Sequence, residues 1–179
     1  MDVADGVRLA WRAVGDADPH EVARTLLREL LGPGTRLVSG PCPRCGGDHG
    51  PVRAPGTGHR VSIAYAGPLA VVAVRHGDAP LGLDAEPDDD AHRAAVAQAL
   101  GGGAALRAWT RVEAALKADG RGLGIDPADV RVSGGPDAWT ARVPGTPAPL
   151  SGRDVDGVPG TIVSVATGTP EDAAGRSTG

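Results

Sequence analysis

The chain has 179 residues with 28 Gly, 16 Pro, no Phe, 41% hydrophobic residues and a formal net charge of −4. That length suits one domain, or two small lobes sharing a core, and the charge excludes a strong basic field for nucleic acid or an anionic membrane. No apolar stretch approaches the roughly 20 residues of a membrane span, the acidic start Met1-Asp2-Val3-Ala4-Asp5 lacks a signal-peptide layout, and two Cys cannot build a disulfide framework, so a soluble cytoplasmic protein is expected.

In chain order, Arg8 to Val14 alternates polar and apolar residues and predicts a strand. His20 to Leu31 carries Val22, Leu26, Leu27, Leu30 and Leu31 at helical spacing, stopped by Gly32-Pro33-Gly34. Arg36 to Val38 predicts a short strand, and Pro41 to Pro51 a loop rich in Gly, Pro and Cys. Arg60 to Tyr65 and Leu69 to Val74 predict a hairpin around Ala66-Gly67-Pro68. Leu81 to Glu86 predicts a strand ending at Pro87. Asp88-Asp89-Asp90 opens a helix through Leu100, since acids suit the positive helix end. Gly101-Gly102-Gly103 breaks it, and Ala104 to Ala118 predicts the next helix, closed by Gly120. Val130 to Val132, Ala138 to Val143 and Thr161 to Val165 predict late strands. The order β-α-βββ followed by β-α(α)-βββ predicts an α+β fold in a single domain over 1–166, with similar lobes of roughly 1–80 and 81–166. A small, polar, flexible tail follows over 167–179.

Chemistry gathers at a few places. In Leu81-Gly82-Leu83-Asp84-Ala85-Glu86, strand alternation puts Asp84 and Glu86 on one face. Two such carboxylates repel unless a cation sits between them, and Mg²⁺ takes oxygen ligands in this way. The same pattern also suits the wet face of an edge strand. In the helix that follows, Leu106, Trp109, Glu113, Leu116 and Lys117 fall within one stripe. Lys117 is the only Lys beside seventeen Arg. An exposed Glu-to-Lys pair is the ordinary use of that spacing, although the apolar company of Glu113 and Lys117 argues against it. Cys42-Pro43-Arg44-Cys45-Gly46-Gly47-Asp48-His49 offers three zinc ligands, Cys42, Cys45 and His49, with Asp48 or His59 needed as a fourth. It also suits a redox pair or a tight structural loop. Gly120-Arg121-Gly122-Leu123-Gly124 follows a helix rather than preceding one, so it reads as a C-cap and loop, not a phosphate cradle.

Taken in order from about Arg8 to Val165, these pieces resemble the Sfp-type 4′-phosphopantetheinyl transferases. The family's G-V/I-D-x-E strand matches Gly82 to Glu86, and its W-x-x-K-E-A-x-x-K-A helix matches Trp109 to Ala118. The Gly-rich segment matches Gly120 to Leu123, the C-x-x-C-G-x-x-H-G run matches Cys42 to Gly50, and the V-S-x-S-H-S-G strand corresponds to Val61 to Gly67. The resemblance implies two lobes related by a pseudo-twofold axis in a monomer, with the site at their junction. It implies that coenzyme A and Mg²⁺ bind there. The 4′-phosphopantetheine arm would pass to a serine of an acyl- or peptidyl-carrier protein, releasing adenosine 3′,5′-bisphosphate. Carried over by position, Asp84, Glu86 and Glu113 would hold the metal. Glu113 would also help deprotonate the serine, and Lys117 would neutralise the leaving phosphate.

The match has departures. Tyr65 stands where the family has His, flanked by Ala64 and Ala66 where hydroxyl residues are usual, and Val112 replaces the first Lys of the helix motif. The coenzyme phosphates are thus left to Tyr65 and Ser62, with Arg53 and Arg60 as the candidate sources of charge. These departures open a second reading. The fold would serve another step of natural-product biosynthesis, as a different enzyme or a carrier-binding module, without coenzyme A transfer.

Overall fold

The computed structural model describes residues 1–42, 45–47, 50–99 and 106–169. In chain order the strands and helices are β1 (Asp2–Val3), β2 (Val7–Ala13), α1 (Pro19–Leu31), β3 (Val38–Ser39), β4 (Val52–Arg53), β5 (His59–Ala66), β6 (Leu69–His76), β7 (Leu81–Pro87), α2 (Asp90–Ala99), α3 (Leu106–Asp119), β8 (Arg131–Gly134), β9 (Trp139–Arg142), β10 (Leu150–Val155) and β11 (Thr161–Thr167). Among the described residues the strands form a four-stranded sheet in the order β1-β2-β6-β5, a five-stranded sheet in the order β7-β11-β10-β9-β8, and the ribbon β3-β4. Every pairing is antiparallel. The mixed helix and sheet content is the expected α+β class.

The layers follow from burial on alternate faces. On β6, Ala70, Val72 and Val74 pack with Ala23, Leu26 and Leu27 of α1. Its other face, Val71 and Ala73, joins Val7, Leu9, Ala64 and Ala66 against Leu81, Leu83, Ala85, Val163 and Val165 of the second sheet. The run from Ala70 to Val74 is buried on both sides, so it is continuously apolar where a half-wet strand would alternate. The sequence of layers is α1, first sheet, second sheet, α3. Helix α1 starts at an Asp18 cap, whose carboxylate accepts from His20 N at 2.7 Å and Glu21 N at 3.2 Å. It ends where the Gly32 N–H bonds the Arg28 carbonyl at 2.7 Å.

Helix α3 lies on the outer face of β7 and β11, packing Ala114, Ala115, Leu116 and Ala118 with Trp139, Ala141, Leu150 and Ala166. Its approach is close. A Cβ added at Gly82 would collide with the Ala114 carbonyl oxygen and the Ala118 backbone nitrogen, and would sit 3.0 Å from Ala118 Cα. With no Phe to fill the space, small residues bring the layers together instead.

Several expectations shift. The predicted strand at Arg36 to Val38 is displaced to Val38–Ser39, and it pairs with Val52–Arg53, just beyond the predicted loop. β1, β4 and β10 have no counterpart among the expected strands. In Leu150–Val155 the Ser-Gly-Arg-Asp centre hides the alternation. Gly152 is required there because the Trp139 ring lies against it. The predicted glycine break at 101–103 and the start of the third helix at 104 lie outside the described residues. β11 runs to Thr167, and the Gly168 N–H bonds the Pro80 carbonyl at 3.1 Å. Positions 170–179 of the expected tail lie outside the described residues. The Gly120 segment is a C-cap as expected, with φ +87° and its N–H on the Leu116 carbonyl at 3.0 Å.

Candidate active site

β7 turns Gly82, Asp84 and Glu86 toward α3 and its apolar residues inward, which is the alternation expected. α3 runs back along the strand, so Trp109 reaches Glu86 and Lys117 reaches Asp84. Lys117 Nζ donates to Asp84 Oδ1 at 2.6 Å. Trp109 Nε1 donates to Glu86 Oε1 at 3.1 Å, and His92 Nε2, from α2, sits 2.6 Å from Glu86 Oε2. Glu113 stands between Trp109 and Lys117 in the same stripe. Residues 33 positions apart in sequence are thus joined in one charged cluster.

Three carboxylates share this cluster with one Lys and one His. Asp84 is almost fully buried. Burial raises its pKa, Lys117 pulls it back, and Glu86 and Glu113 push it up again, leaving it at about 6. Glu113 is also raised, first by burial and then by Glu86, against the lowering pull of Lys117. A glutamate held above its ordinary range is better matched to taking a proton near neutral pH. Asp84 Oδ2 is buried with no hydrogen-bond partner among the described residues. A buried, unpartnered carboxylate oxygen in an all-oxygen donor set suits a hard cation such as the Mg²⁺ implied by the resemblance. Among the described residues no three His, Cys, Asp or Glu side chains are gathered at metal-holding distance. Ligation by Asp84, Glu86 and Glu113 together would therefore require them to draw closer.

The other expected contacts lie elsewhere. Tyr65 is partly exposed near the start of α1, its hydroxyl 3.0 Å from His20 Nδ1 and its ring edge-on to that His. Burial raises its phenol pKa, with Asp18 adding to the rise and Arg24 opposing it. Ser62 projects from the opposite face of β5, where its hydroxyl accepts the Leu83 N–H at 2.9 Å and ties the two sheets together. Arg60 Nε donates to the Asp78 carbonyl at 3.3 Å. It lies five residues from Tyr65, about 17 Å along the strand. Arg53 is exposed on the β3-β4 ribbon. Tyr65, Ser62 and Arg60 thus do not line one surface. In the cysteine loop the Cys42 N–H bonds the Gly47 carbonyl at 2.7 Å, and the Gly46 N–H bonds the Cys42 carbonyl at 2.8 Å. Asp48 and His49 lie outside the described residues. His59 Nδ1 is 2.8 Å from the Thr57 carbonyl oxygen.

Sequence reasoning missed two parts of the surroundings. One is His92, whose only signal is its place six residues after Glu86. The other is Asp154, buried behind α3. Its carboxylate accepts from Arg107 Nη1 at 2.8 Å, Arg111 Nε at 3.0 Å and Nη2 at 2.7 Å, Trp139 Nε1 at 3.2 Å and Ser164 Oγ at 2.9 Å. This knot joins β9, β10 and β11 to the first two turns of α3, and so sets where Trp109 and Glu113 stand over β7. Burial raises the Asp154 pKa, but hydrogen bonds from Arg111, Arg107 and Ser164 and the charge of Arg111 outweigh it and hold the group low.

No model of a known protein family matches the chain, and no curated protein matches it.

Proposed function

We propose that the chain transfers 4′-phosphopantetheine from coenzyme A to a serine of an acyl- or peptidyl-carrier protein. The observation that carries this reading is the cluster of Asp84, Glu86, Glu113 and Lys117 between β7 and α3, with one buried carboxylate oxygen unpartnered. The helix-on-antiparallel-sheet pairing seen at both α1 and α3 supports the two-lobe, pseudo-twofold arrangement that goes with it.

The reaction needs positioning and charge neutralisation more than covalent participation by the protein. The serine oxygen attacks the pantetheine-bearing phosphorus of the pyrophosphate. The bond from that phosphorus to the bridging oxygen breaks, and adenosine 3′,5′-bisphosphate leaves with the bond's electrons. Glu113 takes the serine proton, for which its raised pKa suits it. The Lys117 ammonium moves from Asp84 to the charge that develops on the leaving phosphate. Trp109 and His92 hold Glu86 in place from both of its oxygens. A bound Mg²⁺ would be held by Asp84, Glu86 and Glu113 and would neutralise pyrophosphate charge.

The test is intact-mass spectrometry of an apo carrier protein incubated with this protein, coenzyme A and Mg²⁺. The carrier should gain one phosphopantetheine arm. Glu113→Gln should slow the gain by about 10² to 10⁴, and Lys117→Ala should also slow it strongly. Full activity in either variant would sink the assigned roles, and no gain across several carriers would sink the reading.

One observation favours the second reading, a repurposed fold without coenzyme A transfer. The Ser62 hydroxyl is engaged at the sheet junction and the Tyr65 hydroxyl at His20. Calorimetry with coenzyme A separates the two, since the second reading expects no binding.

A further inference from the structure

We propose that the chain carries a second, anion-binding site, in which Arg131 and Arg142 hold the phosphate group of a small phosphorylated molecule. The site is a cavity of about 310 Å³ at the outer end of the second sheet. It does not depend on the transferase reading.

Three observations converge there. Arg131 of β8 and Arg142 of β9 are direct cross-strand partners. Both are exposed, on the face opposite the one that packs under α3, and both line the cavity. Like charges placed opposite each other destabilise a strand pair. Neither guanidinium has a carboxylate partner within ion-pairing distance among the described residues, whereas Arg107 and Arg111 on the other face of the same sheet share Asp154. Two adjacent guanidinium forks without an anion match the several oxygens of a phosphate group.

The cavity wall is also held in place. The turn after β9, Val143 to Thr146, forms one side of the cavity. Arg121 Nη2 donates to the Pro144 carbonyl at 2.7 Å while its Nε donates at 2.6 Å to buried Asp119 at the end of α3. Thr146 Oγ1 donates to the Val143 carbonyl and tightens the turn. A volume near 310 Å³ lies at the lower end of the range for small-molecule sites. It leaves room for an organic part beside the phosphate. Asp129, on the same lining, would oppose an anion close to it and would accept from a hydroxyl or ammonium on that organic part.

The full chain is titrated with inorganic phosphate, and separately with glycerol 3-phosphate, at an ionic strength held constant with chloride. Backbone amide shifts are followed by NMR. Saturable shifts at 131–132 and 142–146 are expected, with glycerol 3-phosphate binding tighter than inorganic phosphate. Arg131→Gln and Arg142→Gln should each weaken binding about tenfold, and the double variant should abolish it. Arg36→Gln, an exposed charge away from the cavity, should bind as the parent does. Without phosphate, the double variant should melt at the parent temperature or above it, because the repulsion is gone. Absence of saturable shifts, shifts retained in the double variant, no gain from the glycerol moiety, or a destabilised double variant would each overturn the proposal.

Discussion

Replacing Gly82 with Ala tests whether close contact between strand and helix builds the Asp84–Lys117 cluster. An added Cβ meets the backbone of α3 at Ala114 and Ala118, not the movable end of a side chain. To restore ordinary van der Waals separation the helix must retreat by about 1.5 Å. Overpacking of this kind costs about 1–3 kcal/mol, and a backbone collision belongs at the upper end. In a chain of this size about 3 kcal/mol lowers Tm by roughly 6–12 °C. The same retreat stretches the 2.6 Å Lys117–Asp84 bond beyond hydrogen-bond length. On the proposed transferase reading, phosphopantetheine transfer should therefore fall along with stability, and more than the unfolded fraction explains. The assay is thermal unfolding by circular dichroism, with transfer measured well below the transition. Gly34→Ala is the control, because its Cβ would meet nothing within 4 Å and its φ is not left-handed. That change should stay within about 0.5 kcal/mol. A Gly82→Ala protein that melts with the parent would refute the close-contact account.

Other outcomes follow from the charged groups. Asp84 is raised from 3.8 to about 6, so the folded state binds the proton more tightly than the unfolded state. Its contribution to stability, in protein free of divalent metal, is fully present below pH 3.8 and is lost as pH rises through 6. The loss is about 3 kcal/mol. Urea unfolding between pH 4 and 7 should show this decline in the parent and a flatter profile in Asp84→Asn, and equal slopes would contradict it. Asp154 has the opposite sign: its depressed pKa gives stability that is present above the ordinary Asp value and lost as pH falls below it. Asp154→Ala strands the poorly exposed Arg111 guanidinium together with Trp139 Nε1 and Ser164 Oγ. It should cost about 3–5 kcal/mol, read as a lowered urea midpoint. A change under about 1 kcal/mol would show that the knot does not anchor α3.

Much of the architecture was legible because it is written locally. The α1 stripe, the β5-β6 hairpin and the alternation of Leu81 to Glu86 each depend on neighbours within a few residues, and each is found within a residue or two of its expected bounds. The convergence of Asp84 with Lys117 was implied by the family resemblance, since strand alternation and helical spacing fix only the face each occupies and not that the two faces meet. What was hidden depends on distant partners. Leu150–Val155 looks like a polar loop until Gly152 is seen beneath Trp139 and Asp154 beneath two arginines about 43 and 47 positions away. The divergence of Ser62 from Tyr65 follows from strand alternation alone. It was obscured by reading the whole strand as one binding motif.

The strand order has a consequence for how the chain comes together during synthesis. In the four-stranded sheet every strand finds its neighbours by His76. Among the described residues β7, which carries Asp84 and Glu86, has one ladder neighbour, and that neighbour is β11, the last strand described. Closing the intervening span of about 70 residues carries an entropic cost that grows only as the logarithm of its length. The delay is in time rather than in energy: Asp84 and Glu86 emerge early but cannot be set in their sheet until Thr161–Thr167 has left the ribosome. Among the described residues, the sheet that carries the carboxylate cluster is thus the last to be completed, and a chain cut short before β11 would keep the four-stranded sheet and leave β7 without its ladder partner.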